Sequence, residues 1–188
     1  MLDVRSVSVA GRLESTTFSV SSGDAMLITG PNGSGKSTLL DCIAGVQHPT
    51  SGDISTPGSE QPAYLPQNPP RPFAYTVREY LMIGNIPLQR ADYATTFDIT
   101  PLLDKEITAL SAGQWQRVAI TKILNTNRKV VALDEPDAPL DEHWSKCLEA
   151  AILDEISIGK IVIVTLHRPE IRKYWKFQCL NLKPMVAS

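Results

Sequence analysis

Residues 25–38 read AMLITGPNGSGKST, an apolar run that passes into a glycine-rich loop ending in Lys-Ser-Thr. Residues 30–37 fit the pattern GxxxxGK[ST], with the preceding strand and following helix that give this pattern its structural meaning. Inward-facing backbone N–H groups and a helix N-terminus favour an anion there. Lys36 supplies a cation for β- and γ-phosphates, and the Ser37 hydroxyl suits magnesium. We predict a phosphate-binding site between a strand and a helix; a glycine-rich turn without a ligand is the alternative.

Residues 130–136, VVALDEP, supply a second part of such a site. An apolar strand ends there in two adjacent carboxylates, whose alternate directions permit different roles. Asp134 is suited to hold magnesium through water, and Glu135 to polarise a water that attacks the γ-phosphate. An acidic turn after a strand is the alternative, but the phosphate loop in the same chain favours the catalytic interpretation.

The composition indicates one compact domain without a strongly charged surface. The chain has 188 residues, of which 43% are hydrophobic and 20% charged, and a formal net charge of -2, so no nucleic-acid partner is expected. Cys42, Cys147 and Cys179 form no CxxC pair, which is typical of ordinary thiols in a reducing compartment. No apolar stretch approaches the roughly 20 residues that cross a bilayer, so we expect any membrane attachment to come through a partner.

The hydrophobic pattern predicts an α/β fold with a parallel sheet. The expected elements are strands at residues 4–9, 17–20, 25–29, 130–133, 161–165 and 178–182, and helices at 36–44, 114–124 and 141–158. Weakly helical stretches at 76–84 and 92–103 indicate a small helical lobe. Five of the twelve residues from 61 to 72 are proline, which predicts a connector with few ladder hydrogen bonds.

Six segments together resemble the ATP-binding cassette (ABC) ATPase family, in family order and over nearly the whole chain. They are the phosphate loop at 30–38, Gln67 in YLPQ, the signature LSAGQ at 110–114, VVALDEP at 130–136, APLD ending at Asp141, and His167 in VTLH. A phosphate loop alone is shared by many families, whereas LSAGQ shortly before a VVALDEP strand is specific.

The resemblance implies a P-loop NTPase (RecA-like) core with a mostly parallel sheet, an N-terminal antiparallel β portion and a small inserted helical subdomain. It implies a single ABC ATPase domain over residues 1–188. The core with its antiparallel portion is expected at 1–67 and 125–188, and the helical subdomain with the signature motif at 68–124.

The resemblance also implies the residues that bind and hydrolyse ATP. The nucleotide is expected on Gly30, Pro31, Asn32, Gly33, Ser34, Gly35, Lys36, Ser37 and Thr38. Magnesium is expected at Ser37, Gln67 and Asp134. Catalytic roles are implied for Glu135, for Gln67 beside the attacking water, and for His167 at the γ-phosphate.

In this family the signature meets the ATP that a second subunit holds. Here that motif comprises Ser111, Ala112, Gly113 and Gln114, and Asp141 is implied in a loop at the dimer interface. Small residues and a helix N-terminus suit close approach to a phosphate. A simple helix start with Ser111 as N-cap is the alternative.

Three departures from the family pattern affect these expectations. Residues 9–12, VAGR, lack the aromatic residue that commonly stacks on adenine, so Arg12 either replaces it by guanidinium stacking or is a solvated turn residue. Ala112 stands where glycine is usual, a mild change. Ala138 and Pro139 stand where Ser-Ala is usual, which removes a hydroxyl from the implied dimer interface. We still expect hydrolysis, because the implied catalytic residues are all present.

The function that the resemblance implies is the ATP-binding and hydrolysing subunit of an ABC transporter, in which ATP closes a dimer and hydrolysis opens it. The expected partners are integral membrane subunits and a second ABC ATPase chain, identical or not, at the cytoplasmic face of the membrane. Phe73, Tyr75 and Tyr80 are expected to receive a helix of the membrane subunit, or else to pack the helical lobe. A non-transport ABC ATPase and an ATP-dependent dimerisation module are the alternatives, and the direction of transport stays open.

Overall fold

The computed structural model describes residues 1–58, 60–83, 93–166 and 177–184. Its strands are β1 (Leu2–Val9), β2 (Leu13–Val20), β3 (Ala25–Thr29), β4 (Ser51–Ser55), β5 (Ala63–Leu65), β6 (Val130–Leu133), β7 (Ile161–Thr165) and β8 (Gln178–Asn181). Its α-helices are α1 (Lys36–Ile43), α2 (Val77–Met82), α3 (Tyr93–Thr96), α4 (Ala112–Leu124) and α5 (Glu142–Ser157). The predicted site residue His167 lies outside the described residues.

The central sheet has the strand order β5-β6-β7-β3-β8, and every neighbouring pair is parallel. The carboxyl ends of β3 and β6 therefore lie at the same edge of the sheet. The phosphate loop follows β3 and the acidic pair follows β6, so one edge presents both, which is where open α/β sheets bind ligands.

Both faces of this sheet are buried, which explains why its strands are apolar without alternation. Leu27 and Leu133 belong to one hydrophobic cluster, which also contains apolar residues of α4 and α5. Ile28 and Ala132, their chain neighbours, belong to a second cluster with α1 and the antiparallel sheet β2-β1-β4. The predicted α/β fold with an antiparallel β portion is confirmed.

The proline-rich stretch 61–72 is not only the predicted connector, because Ala63–Leu65 forms β5 and pairs with β6. Pro62 and Pro66 flank the three paired residues, so their rings remove no donor from the ladder. β4 was also not predicted. Its sequence, SGDIS, is mostly exposed at the edge of the antiparallel sheet and carries little apolar pattern.

The helical stretch predicted at 92–103 is interrupted. After α3, Asp98 adopts a left-handed φ of 45°, and a 3-10 helix follows at Thr100–Leu102. A second 3-10 helix, Ile107–Ala109, leads to the signature. Within the described residues, no helix combines the length and the apolar character needed to span a bilayer.

Candidate functional site

The phosphate loop connects the end of β3 to Lys36, the first residue of α1. Gly35 is the N-cap of α1 with a φ of 90°, and a Cβ there would lie 2.5 Å from the carbonyl oxygen of Arg12, so only glycine fits. The Lys36 Nζ donates hydrogen bonds to the carbonyl oxygens of Gly30 (2.9 Å) and Pro31 (3.1 Å). The ammonium group and the positive end of the α1 dipole thus meet at the loop, as anion binding requires.

An open cleft of about 550 Å³ lies in front of this loop. It is lined by Asn32, Gly33, Gly35, Lys36, Ser37 and Thr38 from the loop and α1, and by Gly11, Arg12, Gln67 and Glu135 around them. Residues of four chain segments far apart in sequence therefore converge on one space.

The three other predicted nucleotide residues lie differently. Gly30 lines an adjoining cavity that shares Lys36 and Glu135 with the cleft. Pro31 contributes its carbonyl oxygen to Lys36. Ser34 is 2% exposed and lines a separate pocket between β2 and the segment around β8.

The acidic pair after β6 is held in two different environments. Asp134 is 2% exposed, and its N–H donates to the carbonyl oxygen of Leu65 at 2.9 Å. Glu135 is half-buried and lines the cleft. Its Oε2 accepts a hydrogen bond of 2.8 Å from the Gln67 Nε2. The structure therefore brings Gln67 and Glu135 together, as a pair that orients water would require.

Thr165 is a neighbour of this pair to which sequence reasoning assigned no role. Its Oγ1 donates to the Asp134 Oδ1 at 2.7 Å and accepts from the Glu135 N–H at 2.7 Å. The available signal was a polar residue at the end of an otherwise apolar strand, IVIVT.

Tyr64, on β5, joins this edge of the sheet to α1 through a hydrogen bond of 2.9 Å from its hydroxyl to the Asp41 Oδ1. Burial raises the pKa of Tyr64, and the hydrogen bond to Asp41 and the charges of Asp41 and Asp134 raise it further. The phenol is therefore a neutral hydrogen-bond donor at neutral pH.

The donor set fits magnesium held together with nucleotide phosphates. Ser37 is exposed and lines the cleft. Asp134 follows β6 at the same sheet edge, but it is buried and does not itself line the cleft, which suits a contact with the metal through water. Among the described residues, no group of three or more His, Cys, Asp or Glu side chains forms a metal cage. Mg²⁺ commonly takes one or two protein oxygens and completes its octahedron with phosphates and water, so such a cage is not required.

The signature residues lie away from the cleft of their own chain. Ser111 and Ala112 are exposed, and none of the residues 111–114 lines the cleft. The Ser111 Oγ accepts from the Gln114 N–H (3.2 Å), while the Gln114 Oε1 accepts from the Ser111 N–H (3.0 Å). This capping box starts α4. The N-cap interpretation is therefore correct as local structure, and it leaves the exposed helix end available to another molecule.

The signature motif and the helix that follows it are each tied to the Gln67 loop by one hydrogen bond. The Trp115 Nε1 donates to the carbonyl oxygen of Pro69 (3.0 Å), and Arg71 donates to that of Leu110 (2.9 Å). Trp115 is 3% exposed, so its bond is shielded from water. The loop that carries Gln67 and the helix that carries the signature are therefore positioned together.

The loop after the acidic pair packs on the same helix. The buried Gln116 Nε2 donates to the carbonyl oxygen of Pro136 at 3.1 Å. A Cβ at Gly113 would lie 3.2 Å from the carbonyl oxygen of Pro139. Asp141 is exposed and caps α5, since its Oδ1 accepts from the Trp144 N–H at 3.0 Å.

The three aromatic residues predicted to receive a partner helix are placed unequally. Phe73 is 81% exposed and Tyr75 is 42% exposed. Tyr80 is half-buried. The centroid of its ring lies 5.0 Å from that of Trp115 and 3.8 Å from the Lys122 ammonium. Tyr80 therefore packs within the helical lobe, whereas Phe73 and Tyr75 are open to solvent.

Comparison with known proteins identifies the chain's relatives. A family model described as ABC transporter matches residues 13–138. The cytochrome c biogenesis ATP-binding export protein CcmA of Roseobacter denitrificans is 35% identical over 159 residues, which cover 82% of this chain and 76% of that protein. The vitamin B12 import ATP-binding protein BtuD of Vibrio atlanticus is 34% identical in an alignment 195 positions long, which covers 89% of this chain and 77% of that protein.

A solved structure of the ATP-binding subunit of an ABC transporter matches 99% of this chain and 88% of its own chain, with a TM-score of 0.88. Its identity of 22% limits that comparison to the fold. The family match includes the phosphate loop, Gln67, the signature and the acidic pair in one alignment. The chain therefore belongs to the ABC transporter family, as an ATP-binding and ATP-hydrolysing subunit that powers transport.

Proposed function

We propose that ATP is hydrolysed in the cleft in front of the phosphate loop, with the triphosphate on residues 30–38. The convergence of Lys36, Ser37, Gln67 and Glu135 on this one space carries the proposal. Lys36 binds the β- and γ-phosphates, and the loop N–H groups and the α1 N-terminus bind the remaining phosphate oxygens.

In this proposal Glu135 accepts a proton from the attacking water, and Gln67 orients the Glu135 carboxylate and that water. The hydrogen bond between their side chains supports this pairing. Ser37, Asp134 and Gln67 hold magnesium, which when bound neutralises charge on the phosphate oxygens. We propose a further role at the γ-phosphate for His167, on the family resemblance alone.

We also propose that two copies of the chain, or this chain and another ABC ATPase, close around ATP. Ser111, Ala112, Gly113 and Gln114 then meet the γ-phosphate held by the second subunit, and Asp141 lies at the interface. The exposure of Ser111, Ala112 and Asp141 supports this arrangement, as does the fact that none of the five residues lines their own chain's cleft. Each cleft is incomplete without the second chain's helix N-terminus.

The membrane partner is proposed to dock on an apolar surface of the helical lobe. This surface is formed by Phe73 and Tyr75 and by Met82 (65% exposed) and Ile83 (44% exposed). An exposed apolar group of this kind suits an interface. Phe73 and Tyr75 follow the Gln67 loop directly in the chain, and the hydrogen bonds of Trp115 and Arg71 join that loop to the signature segment. The chain is thereby held at the cytoplasmic face of the membrane by integral subunits.

Phosphate release from the purified chain tests the catalytic proposal, with Glu135→Gln as the diagnostic variant. We expect hydrolysis to fall by about 100-fold or more in Glu135→Gln, while ATP binding persists. The control is Gln47→Glu, which exchanges an amide for a carboxylate, the opposite of Glu135→Gln, at a position outside the cleft. This variant should retain activity. Equal and negligible rates in wild type and Glu135→Gln would instead favour an ATP-dependent dimerisation module.

Copurification with an integral membrane protein tests the transport partner. The paired change Phe73→Ser and Met82→Ser should abolish that copurification and leave basal hydrolysis intact. Retention of the membrane protein by this variant would exclude the proposed surface.

A further inference from the structure

Thr165 ends β7, the strand that separates the phosphate-loop strand from the acidic strand. β7 pairs with β6 on one side, where Val164 lies opposite Leu133, and with β3 on the other, where Thr165 lies opposite Ile28. Thr165 is thus level with the start of the acidic pair and close to the start of the phosphate loop. Its exposure is 0%.

The hydroxyl of Thr165 serves both acidic residues at once. Its single proton is donated to the Asp134 Oδ1, and one of its lone pairs accepts the Glu135 N–H, each at 2.7 Å. Asp134 is itself 2% exposed. Among the described residues, no other side chain donates a hydrogen bond to the Asp134 carboxylate. This hydrogen bond restricts the rotation of the Asp134 carboxylate, because a rotated carboxylate would leave a buried oxygen without a hydrogen-bond donor.

The second hydrogen bond acts on the backbone of Glu135. This residue has a φ of 44°, in the left-handed region that side chains other than glycine rarely adopt. Its N–H is fixed by the Thr165 hydroxyl, and its Oε2 is fixed by the Gln67 Nε2. The direction of the Glu135 side chain into the cleft therefore depends on a backbone turn that Thr165 stabilises.

We propose that Thr165 is a positioning residue for hydrolysis, which aligns the Asp134 carboxylate and the Glu135 backbone through one hydroxyl. It acts through these two residues and does not touch ATP. The inference rests on the roles proposed above for Asp134 and Glu135.

The test compares Thr165→Val, Thr165→Ser and Thr121→Val in the full chain. Valine keeps the shape of threonine and removes the hydroxyl, and serine restores the hydroxyl. Thr121 is also 0% exposed, and its hydroxyl donates to the carbonyl oxygen of Tyr93 at 3.5 Å, so Thr121→Val controls for the loss of a buried hydroxyl elsewhere. We measure phosphate release against ATP and against Mg²⁺ concentration, and the binding of a fluorescent ATP analogue in EDTA.

For Thr165→Val we expect kcat to fall, and the half-saturating Mg²⁺ concentration to rise, by about 10- to 100-fold, the usual effect of removing an outer hydrogen-bond partner of a metal ligand. Binding of the analogue in EDTA should be unchanged, which a general loss of structure would not allow. Thr165→Ser and Thr121→Val should both keep kcat close to wild type.

Wild-type kcat and Mg²⁺ dependence in Thr165→Val would overturn the inference. If Thr165→Val fails to fold, Thr165→Ser still decides, since a loss of about tenfold or more with the hydroxyl present would show that this group is not what matters. Glu135→Gln, measured in parallel, distinguishes a failure of the proposed catalytic role of Glu135 from a failure of the proposed role of Thr165. An active Glu135→Gln refutes the proposed catalytic role, whereas an inactive Glu135→Gln beside a fully active Thr165→Val refutes only the role of Thr165.

Discussion

Arg12 lies on the wall of the cleft, in the turn between β1 and β2. Its N–H donates to the carbonyl oxygen of Val9 at 2.9 Å, which fixes the turn, and its side chain is exposed. No aromatic side chain of the described residues lines the cleft. Arg12 is therefore the side chain of this wall that is placed to meet the nucleobase.

We predict that the wild-type chain binds ATP and GTP with similar affinity, because a guanidinium plane stacks on either base without reading its edge. Arg12→Tyr should tighten ATP binding by about fivefold or more, since base–aromatic stacking is worth about 1–3 kcal/mol. Competition titrations with a fluorescent nucleotide measure both effects, and Arg5→Tyr, at an exposed arginine outside the cleft, is the control. A strong preference of the wild type for ATP would contradict the prediction.

The residues with fixed motif spacing were predictable from sequence, and those defined by strand order were not. Lys36 and Glu135 follow directly from patterns of residue types, and both line the cleft. The role of Thr165 depends on β7 lying between β3 and β6, which no local pattern encodes. The same is true of the contact from Trp115 to Pro69, which joins segments 46 residues apart.

Among the secondary-structure elements, two helices of the lobe, α2 and α4, begin with the same capping box. Ser111 caps α4 and Thr76 caps α2, each in a reciprocal box with the residue three positions later. The strands that sequence reasoning missed, β4 and β5, are short or exposed, and their hydrogen bonds come from neighbours that are distant in sequence. The amphipathic helices α4 and α5 were predictable because they carry their own period and caps.

Variants of the two caps, Ser111 and Thr76, distinguish a structural role of Ser111 from a role in ATP hydrolysis. Ser111→Ala and Thr76→Ala should each lower the free energy of unfolding by about 1 kcal/mol, because each loses an N-cap. Only Ser111→Ala should also reduce ATP hydrolysis strongly, since in the proposed dimer its hydroxyl would meet the nucleotide held by the second subunit. Urea unfolding and phosphate release measure the two quantities. Equal retention of activity in both variants would argue that Ser111 is only a cap.

A buried ion pair joins α5 to β7. Glu155 and Lys160 are within salt-bridge distance, with side chains 1% and 6% exposed. The Tyr93 hydroxyl donates to the Glu155 Oε1 at 2.8 Å, and the Lys160 Nζ donates to the carbonyl oxygens of Leu124 (3.1 Å) and Thr126 (2.6 Å). The pair therefore connects four segments of the chain.

We predict that Glu155→Ala lowers the free energy of unfolding by about 3–5 kcal/mol, because it leaves the Lys160 ammonium buried without its counter-charge. Glu142→Ala, which breaks the exposed pair of Glu142 with Lys146 on the same helix, should cost under about 0.5 kcal/mol. Urea unfolding of both variants gives the comparison. A small loss in Glu155→Ala, similar to that in Glu142→Ala, would show that the pair does not stabilise the fold.

Across the whole molecule, the chain has two separate places that suit an anion. One is the cleft with Lys36 and Glu135, and the other is the exposed N-terminus of α4 with Ser111. The Gln67 loop and the loop after Glu135 both bond to α4. In the proposed dimer, the second subunit would therefore engage a helix that is already bonded to the Gln67 loop and to the loop after Glu135.

The most direct test of this account is the rate of phosphate release per chain as the purified protein is diluted. If ATP is enclosed by two subunits, the rate per chain is constant at high concentration and falls in proportion to concentration once the dimer dissociates. An undiminished rate per chain from a protein shown to be monomeric under the assay conditions would contradict the shared site.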